Sequence, residues 1–262
     1  MPHGESWFSL LPFHERVAHF AALLGRPVND DGVTWLAHQT PGVQHIYAAV
    51  FVLGLIALVA VITDTSIRDA GGDLLPHERL TVRNFVELFV GTSYNMMSDV
   101  MGAKAARYFL PLIGTCAFFI FFSNAIGLIP GFAPPTDNFN TTLACAIVIF
   151  VATHVYGLKE HGWTHLKHFL GPVWWLAPLM LVIEVISHLA RPFSLAVRLM
   201  ANMMADHMVL GIFCGLLPAF LFFIPVPLPM YVLGVIVVVV QTLVFCMLST
   251  VYIAMAIEQS QH

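Results

Sequence analysis

Apolar residues run along this chain in blocks too long for a soluble core. QHIYAAVFVLGLIALVAVIT, YFLPLIGTCAFFIFFSNAIGLI and TTLACAIVIFVATHVYGL lack Asp, Glu, Lys and Arg, and predict spans over residues 45–63, 108–129 and 141–158. Each is long enough, or nearly so, for a hydrocarbon core of about 30 Å. A fourth block runs from about Pro172 to Leu217 and a fifth from about Met230 to Ile257. Pro218, Pro225, Pro227 and Pro229 lie between them and argue against one continuous helix there. The fourth block, at 1.5 Å per residue, is about 65 Å long, roughly twice the core thickness. It must tilt, bend or project, and Pro178 and Pro192 are candidate bends. Reading 208–224 as a separate span would give six spans and put both termini on one side.

Two segments lack this continuous apolarity. Residues 1–44 are mixed, with an amphipathic patch around FHERVAHFAALLG, and are expected to form an N-terminal arm. Over 76–104, Val82, Phe85, Val86, Phe89 and Val90 recur at helical spacing while Arg79, Arg83, Glu87 and Asp99 keep the segment from spanning. That pattern predicts an interfacial amphipathic helix. The expected architecture is therefore an all-α membrane protein: five transmembrane helices in one domain over 45–258, one interfacial helix, and long, tilted last two helices. There is no internal repeat and no second soluble domain.

Composition agrees. Charged residues are 10% and hydrophobic residues 58%, against about 25% charged in soluble domains. The net charge of −4 says little, because orientation follows the placement of Lys and Arg. Arg68, Arg79, Arg83, Lys104 and Arg107 lie between the first two spans, and Lys159 and Lys167 between the third and fourth. PGFAPPTDNFN and the proline-rich segment carry none, and the arm has Arg16 and Arg26. The N-terminus is then expected outside and the C-terminus in the cytoplasm. Nothing in this pattern points to nucleic acid. Cys116, Cys145, Cys214 and Cys246 lie in apolar segments and read as small buried hydrophobes. The first long apolar run starts near His45, too late for a cleavable signal. His161, His165 and His168 have a metal-like spacing, but a polar loop explains them, and no metal or cofactor is expected.

The chemistry concentrates in IEVISHLARPFSLAVRLMANMMADH. An ionised side chain at mid-bilayer costs roughly 2.5–3.5 kcal/mol on insertion scales, and this stretch holds Glu184, Arg191, Arg198 and Asp206. At about 100° per residue, Glu184, His188, Arg191, Arg198, Asn202 and Asp206 fall within an arc of roughly 80°. Ser194 borders that arc and His207 lies off it. Such a stripe faces protein or water rather than lipid. One reading is a structural ion-pair network, with Glu184 within reach of Arg191, which His188 also crowds, and Asp206 less conveniently placed for Arg198. The other is a polar path with Arg198 as a fixed central charge, which lowers the pKa of any carboxylate that approaches and so releases its proton. Gln241, at similar depth in the last helix, can orient Arg198 or simply glue helices together, and Tyr252 shares its face. Asn124 has the same two readings.

RPFSLAVRLMANMMADH, Gln241 in the last helix, FFSNAIGLIPG and VELFVGTSYNMMSDVMG resemble the subunit a family of F-type ATP synthases, bacterial type, over about residues 76–258. The resemblance implies a stator subunit of the bacterial inner membrane, not an enzyme by itself. It implies that two long tilted helices face a ring of c subunits, with the subunit b stalk and the other synthase subunits as further partners. It implies two proton half-channels. Arg198 matches the family's essential arginine, with Asn202 and Gln241 beside it, Glu184 and Ser194 on the inner side, and Asn124, Asp206 and His207 on the outer side. Two departures stand out. Many relatives carry a carboxylate where His207 stands and an ionisable group where Gly234 stands, which leaves Asp206 as the candidate acid. The alternatives are a secondary transporter of a small anion, which usually shows inverted repeats, and a purely structural scaffold.

Overall fold

A computed structural model describes residues 44–69, 81–129, 132, 134–161, 177–220 and 227–258. They form six helices: α1 Gln44–Asp69, α2 Val82–Met101, α3 Ala103–Gly127, α4 Phe139–His161, α5 Ala177–Phe220 and α6 Pro227–Glu258. A 3-10 turn, Pro135–Asp137, joins α3 to α4. No strand occurs among the described residues. All helices but α2 are long and apolar enough to cross a membrane. The expected arm, the loop with His165 and His168, and the C-terminal EQSQH beyond Glu258 lie outside the described residues.

The six-span reading fails on α5. Its 44 residues form one helix through 208, without a second start. At 1.5 Å per residue it is about 66 Å long and cannot stand upright in a bilayer. Pro192 lies within it. Pro178 sits in its first turn, where a missing N–H is tolerated.

The core is shared by five helices: Met97 of α2, Phe109, Ile113 and Ile120 of α3, Ile149 of α4, Leu195 and Leu199 of α5, and Phe245 and Ile253 of α6. Ala106, Ala117, Ala146 and Ala196 lie in the same cluster. Small side chains there let helix backbones approach closely. Large apolar groups point outward instead, among them Leu58 and Val61 of α1, Ile186 and Leu189 of α5, and Val235 and Ile236 of α6. A soluble protein rarely exposes so continuous an apolar surface, whereas a lipid or partner surface requires it.

Gly102 separates α2 from α3. Its φ of 81° and ψ of 155° belong to a region that residues with a Cβ rarely enter. α3 therefore begins at Ala103, earlier than its apolar run suggests. α2 folds back along α3: Phe89 meets Phe118 with ring centroids 4.3 Å apart, and Phe85 meets Phe121 at 5.7 Å. Arg83 is buried and donates from Nε to Glu87 at 2.7 Å, so it is not a free loop cation. Arg68, at the end of α1, and Lys104 and Arg107, at the start of α3, remain exposed.

Candidate functional site

The polar stripe of α5 does not keep one environment along its length. At its first quarter it turns into the bundle. His188 is buried, its ring 5.3 Å from that of His154 on α4, at 73°. His154 in turn reaches the Phe150 carbonyl from Nδ1 at 2.9 Å, which requires that nitrogen to carry the hydrogen. Arg191 is half-buried, its guanidinium 5.7 Å from the centre of the Tyr252 ring of α6. A flat cation over an aromatic face is attracted by about 0.5–2 kcal/mol, more as water is excluded. His154, His188, Arg191 and Tyr252 line one small pocket. Glu184 lies one turn before His188; its backbone alone is described. Ser194 is exposed and donates to the Arg191 carbonyl at 2.9 Å.

Midway, the stripe turns outward. Arg198 is exposed, and among the described residues it enters no ion pair; those found are Arg68–Asp64 and Arg83–Glu87. Its neighbours on the same face, Ala201, Asn202 and Ala205, are exposed as well. Leu195, Leu199 and Met203, on the opposite face, are buried. The 3.6-residue period thus gives α5 an apolar inner face and, outward, an arginine among small side chains. Asn202, Ala205 and Asp206 line an open groove of about 440 Å³ with Leu233, Ile236 and Gln241 of α6. Gln241 is buried at the floor of α6. The structure does not join Arg198 and Gln241 by a hydrogen bond among the described residues.

Further along, the stripe meets the end of α3. His207 Nε2 lies 3.1 Å from the Gly127 carbonyl. Asn124, fully buried, accepts at Oδ1 from the Thr136 hydroxyl at 2.6 Å. Its Nδ2 is buried with no hydrogen-bond partner among the described residues. Asp137, next on the turn, is close enough to feel the charge of His207. Burial holds its carboxyl above the usual carboxylate range, and the imidazole works in the other direction. Gly234 of α6 approaches this cluster so closely that a Cβ there would stand 3.3 Å from Asp206 Oδ2 and 2.5 Å from Leu128 Cδ2. Leu128 fills the place that a side chain at Gly234 would take, beside the Asp206 carboxylate.

Sequence reasoning singled out Glu184, His188, Arg191, Ser194, Arg198, Asn202, Asp206, His207, Asn124 and Gln241. Folding divides them into three places about 13–15 Å apart along α5. It missed His154, although an ionisable ring in an otherwise apolar span is itself a signal. It also missed Thr136 and Asp137, whose loop stands out in the sequence only for its lack of Lys and Arg. Cys116, Cys145 and Cys246 are free thiols, and no group of three metal-ligating side chains occurs among the described residues.

The family model for the ATP synthase A chain matches residues 45–254. Similar proteins include an ATP synthase subunit a from Sorangium cellulosum, 46% identical over 88% of this chain and 90% of that protein. Another, from Geobacter sulfurreducens, is 51% identical over 68% of this chain and 76% of its own length. A third, from Trichlorobacter lovleyi, is 54% identical over 68% of this chain and 75% of its own length.

Proposed function

Because the chain belongs to the ATP synthase A chain family, we propose that it is the proton-conducting stator subunit of a bacterial ATP synthase. The observation that carries this reading is Arg198: a cation exposed at mid-span, unpaired among the described residues, and flanked by Ala201 and Ala205. Small flanking residues allow another helix to approach closely. A ring of c subunits, each with a membrane carboxylate, is the partner this face suits. Near Arg198 the carboxylate is stabilised as an anion and gives up its proton. A fixed cation also repels protons that would cross without the ring.

We assign two half-channels to the polar residues on either side of Arg198. Asn124, Asp206 and His207 serve the outer one, and Glu184 and Ser194 the inner one. Asn202 and Gln241 line the groove beside the central charge. Arg191, held by Tyr252 and close to His188, has a structural part. The chain does no chemistry alone; it couples proton flow to ring rotation, with the subunit b stalk holding it still. It lies in the bacterial inner membrane with the N-terminal arm outside and the C-terminus in the cytoplasm, because Arg68, Lys104 and Arg107 share one end of the bundle. An anion transporter would turn its arginines into an enclosed substrate site. The exposed Arg198 does not suit that role.

ATP-driven proton pumping in inverted membrane vesicles tests this, with the subunit detected in the membrane to check assembly. Arg198→Ala is expected to abolish pumping. Arg198→Lys is expected to do nearly as much harm, because an ammonium can lose its proton when desolvated and lacks the planar fork of a guanidinium. Arg191→Lys should keep most activity. Normal pumping by Arg198→Lys together with a dead Arg191→Lys would mean that the central charge is Arg191.

A further inference from the structure

We infer that Asp137, on the turn between α3 and α4, exchanges protons with His207 and is the outermost proton-carrying residue of the outer path. The inference rests on the proton-conducting reading above and adds to it a residue that lies on neither α5 nor α6.

Asp137 has no structural task on the turn. The start of α4 is capped by its neighbour: Asn138 Oδ1 accepts the Asn140 N–H at 2.9 Å, and Asn138 Nδ2 lies 3.5 Å from His45 Nδ1. Asp137 Oδ1 is buried and has no hydrogen-bond partner among the described residues. An unpaired buried carboxylate oxygen is costly, so packing alone gives no reason for an acid here. The mount is nevertheless firm. Pro135 and Thr136 are buried, and the Thr136 hydroxyl ties the turn to Asn124.

His207 is set up as the other partner. A carbonyl can only accept, so the contact with Gly127 requires Nε2 to carry the hydrogen. Nδ1 is then the nitrogen that takes up and releases protons. Asp137 and His207 share no hydrogen bond or ion pair among the described residues, so the transfer runs through a water between them. In the inward direction the O–H bond of the Asp137 carboxyl breaks, the water takes that proton as it gives one of its own, and an N–H bond forms at His207 Nδ1. A carboxylate and an imidazolium remain. The imidazolium passes its Nδ1 proton to the Asp206 carboxylate through a further water, since neighbouring residues of one helix do not face each other, and returns to its starting tautomer. Asp137 takes a new proton from water outside. The ionisable groups of this region are His207 and Asp206 from α5 and His45 from α1. α3, the turn and α4 bring the neutral Asn124, Asn138 and Asn140. Burial of Asp137 supports the same conclusion, since it brings the carboxyl nearer to an imidazole in proton affinity and favours transfer.

The test uses the complete synthase in inverted vesicles, whose lumen corresponds to the outside, and passive proton conduction of the same vesicles after the soluble sector is stripped. Asp137→Asn, Asp137→Glu, Arg198→Ala and Asp64→Asn are compared; Asp64 is an exposed carboxylate on α1. Asp137→Asn should slow conduction by about tenfold. That is less than the roughly 10²–10⁴ of a general acid or base, because water can reach His207 directly. It should also remove the decline in conduction as lumen pH rises. Asp137→Glu should restore the rate and move that decline upward by about 0.4 pH unit, the difference between the two free carboxyls. Asp64→Asn should behave as the parent does. If Asp137→Asn conducts within twofold of the parent with the same pH profile, the inference is overturned. If Asp137→Asn does not assemble, an unmoved decline in Asp137→Glu overturns it equally. Conduction that survives in Arg198→Ala would instead defeat the proton-conducting reading itself.

Discussion

At the scale of single residues, close approach matters as much as charge. Gly127 ends α3 against two neighbours of unequal stiffness. A Cβ there would stand 2.8 Å from Met203 Cε and 3.0 and 3.1 Å from the Pro134 ring. The methionine tip can swing aside; the proline ring is fixed to the backbone. Gly127→Ala should therefore push the turn away from α3 and lengthen the bond from His207 to the Gly127 carbonyl. Overpacking of this kind costs about 1–3 kcal/mol. The thermal midpoint of the detergent-solubilised complex should fall, and proton pumping should drop severalfold in assembled enzyme. An unchanged midpoint with full pumping would show that Pro134 yields. The charged residues of α5 were legible in the sequence because each breaks an apolar background. Gly127, Thr136 and Asp137 were not, because their meaning comes from contacts with residues 12 to 80 positions away. Periodicity within one helix carries no such information. It also put His188 and Arg198 on one stripe, whereas α4 covers the first and leaves the second open.

At the scale of elements, five spans were readable from hydropathy alone, because the bilayer imposes length and apolarity on each helix separately. Boundaries set by backbone geometry were less so. α3 begins at Ala103 because Gly102 takes a conformation that other residues rarely adopt, at a cost of roughly 1–3 kcal/mol for a residue with a Cβ. The amphipathic pattern of α2 was legible too, but its partner was not. Phe85 and Phe89 could have faced lipid; they meet Phe118 and Phe121 instead. The hairpin depends on the glycine. A Phe89→Cys, Phe118→Cys pair should cross-link with a short bismaleimide in membranes, and adding Gly102→Ala should reduce the yield severalfold. Equal yields with and without the alanine would mean that aromatic packing alone closes the hairpin.

At the scale of the whole molecule, an odd number of crossings places the two ends of the chain on opposite sides. The turn with Asp137 and the Lys104–Arg107 region lie at opposite ends of α3, since α3 runs unbroken between them. Lys and Arg near a membrane favour the cytoplasmic side, so the turn is outside. The assay is labelling by an impermeant thiol reagent in intact cells, in a protein whose four cysteines are replaced by serine. Asn140→Cys, exposed at the start of α4, should react at once. Lys104→Cys, exposed at the start of α3, should react after permeabilisation alone, and so should Ser260→Cys near the C-terminus. The three sites separate the possible errors. Labelling of Ser260→Cys together with Asn140→Cys would mean that an even number of crossings separates them, so that one of α4, α5 and α6 does not cross. Labelling of Lys104→Cys and Ser260→Cys without Asn140→Cys would leave five crossings and invert the whole molecule. In that case His207 and Asp137 would face the cytoplasm, and the inner and outer halves of the proton path would change places.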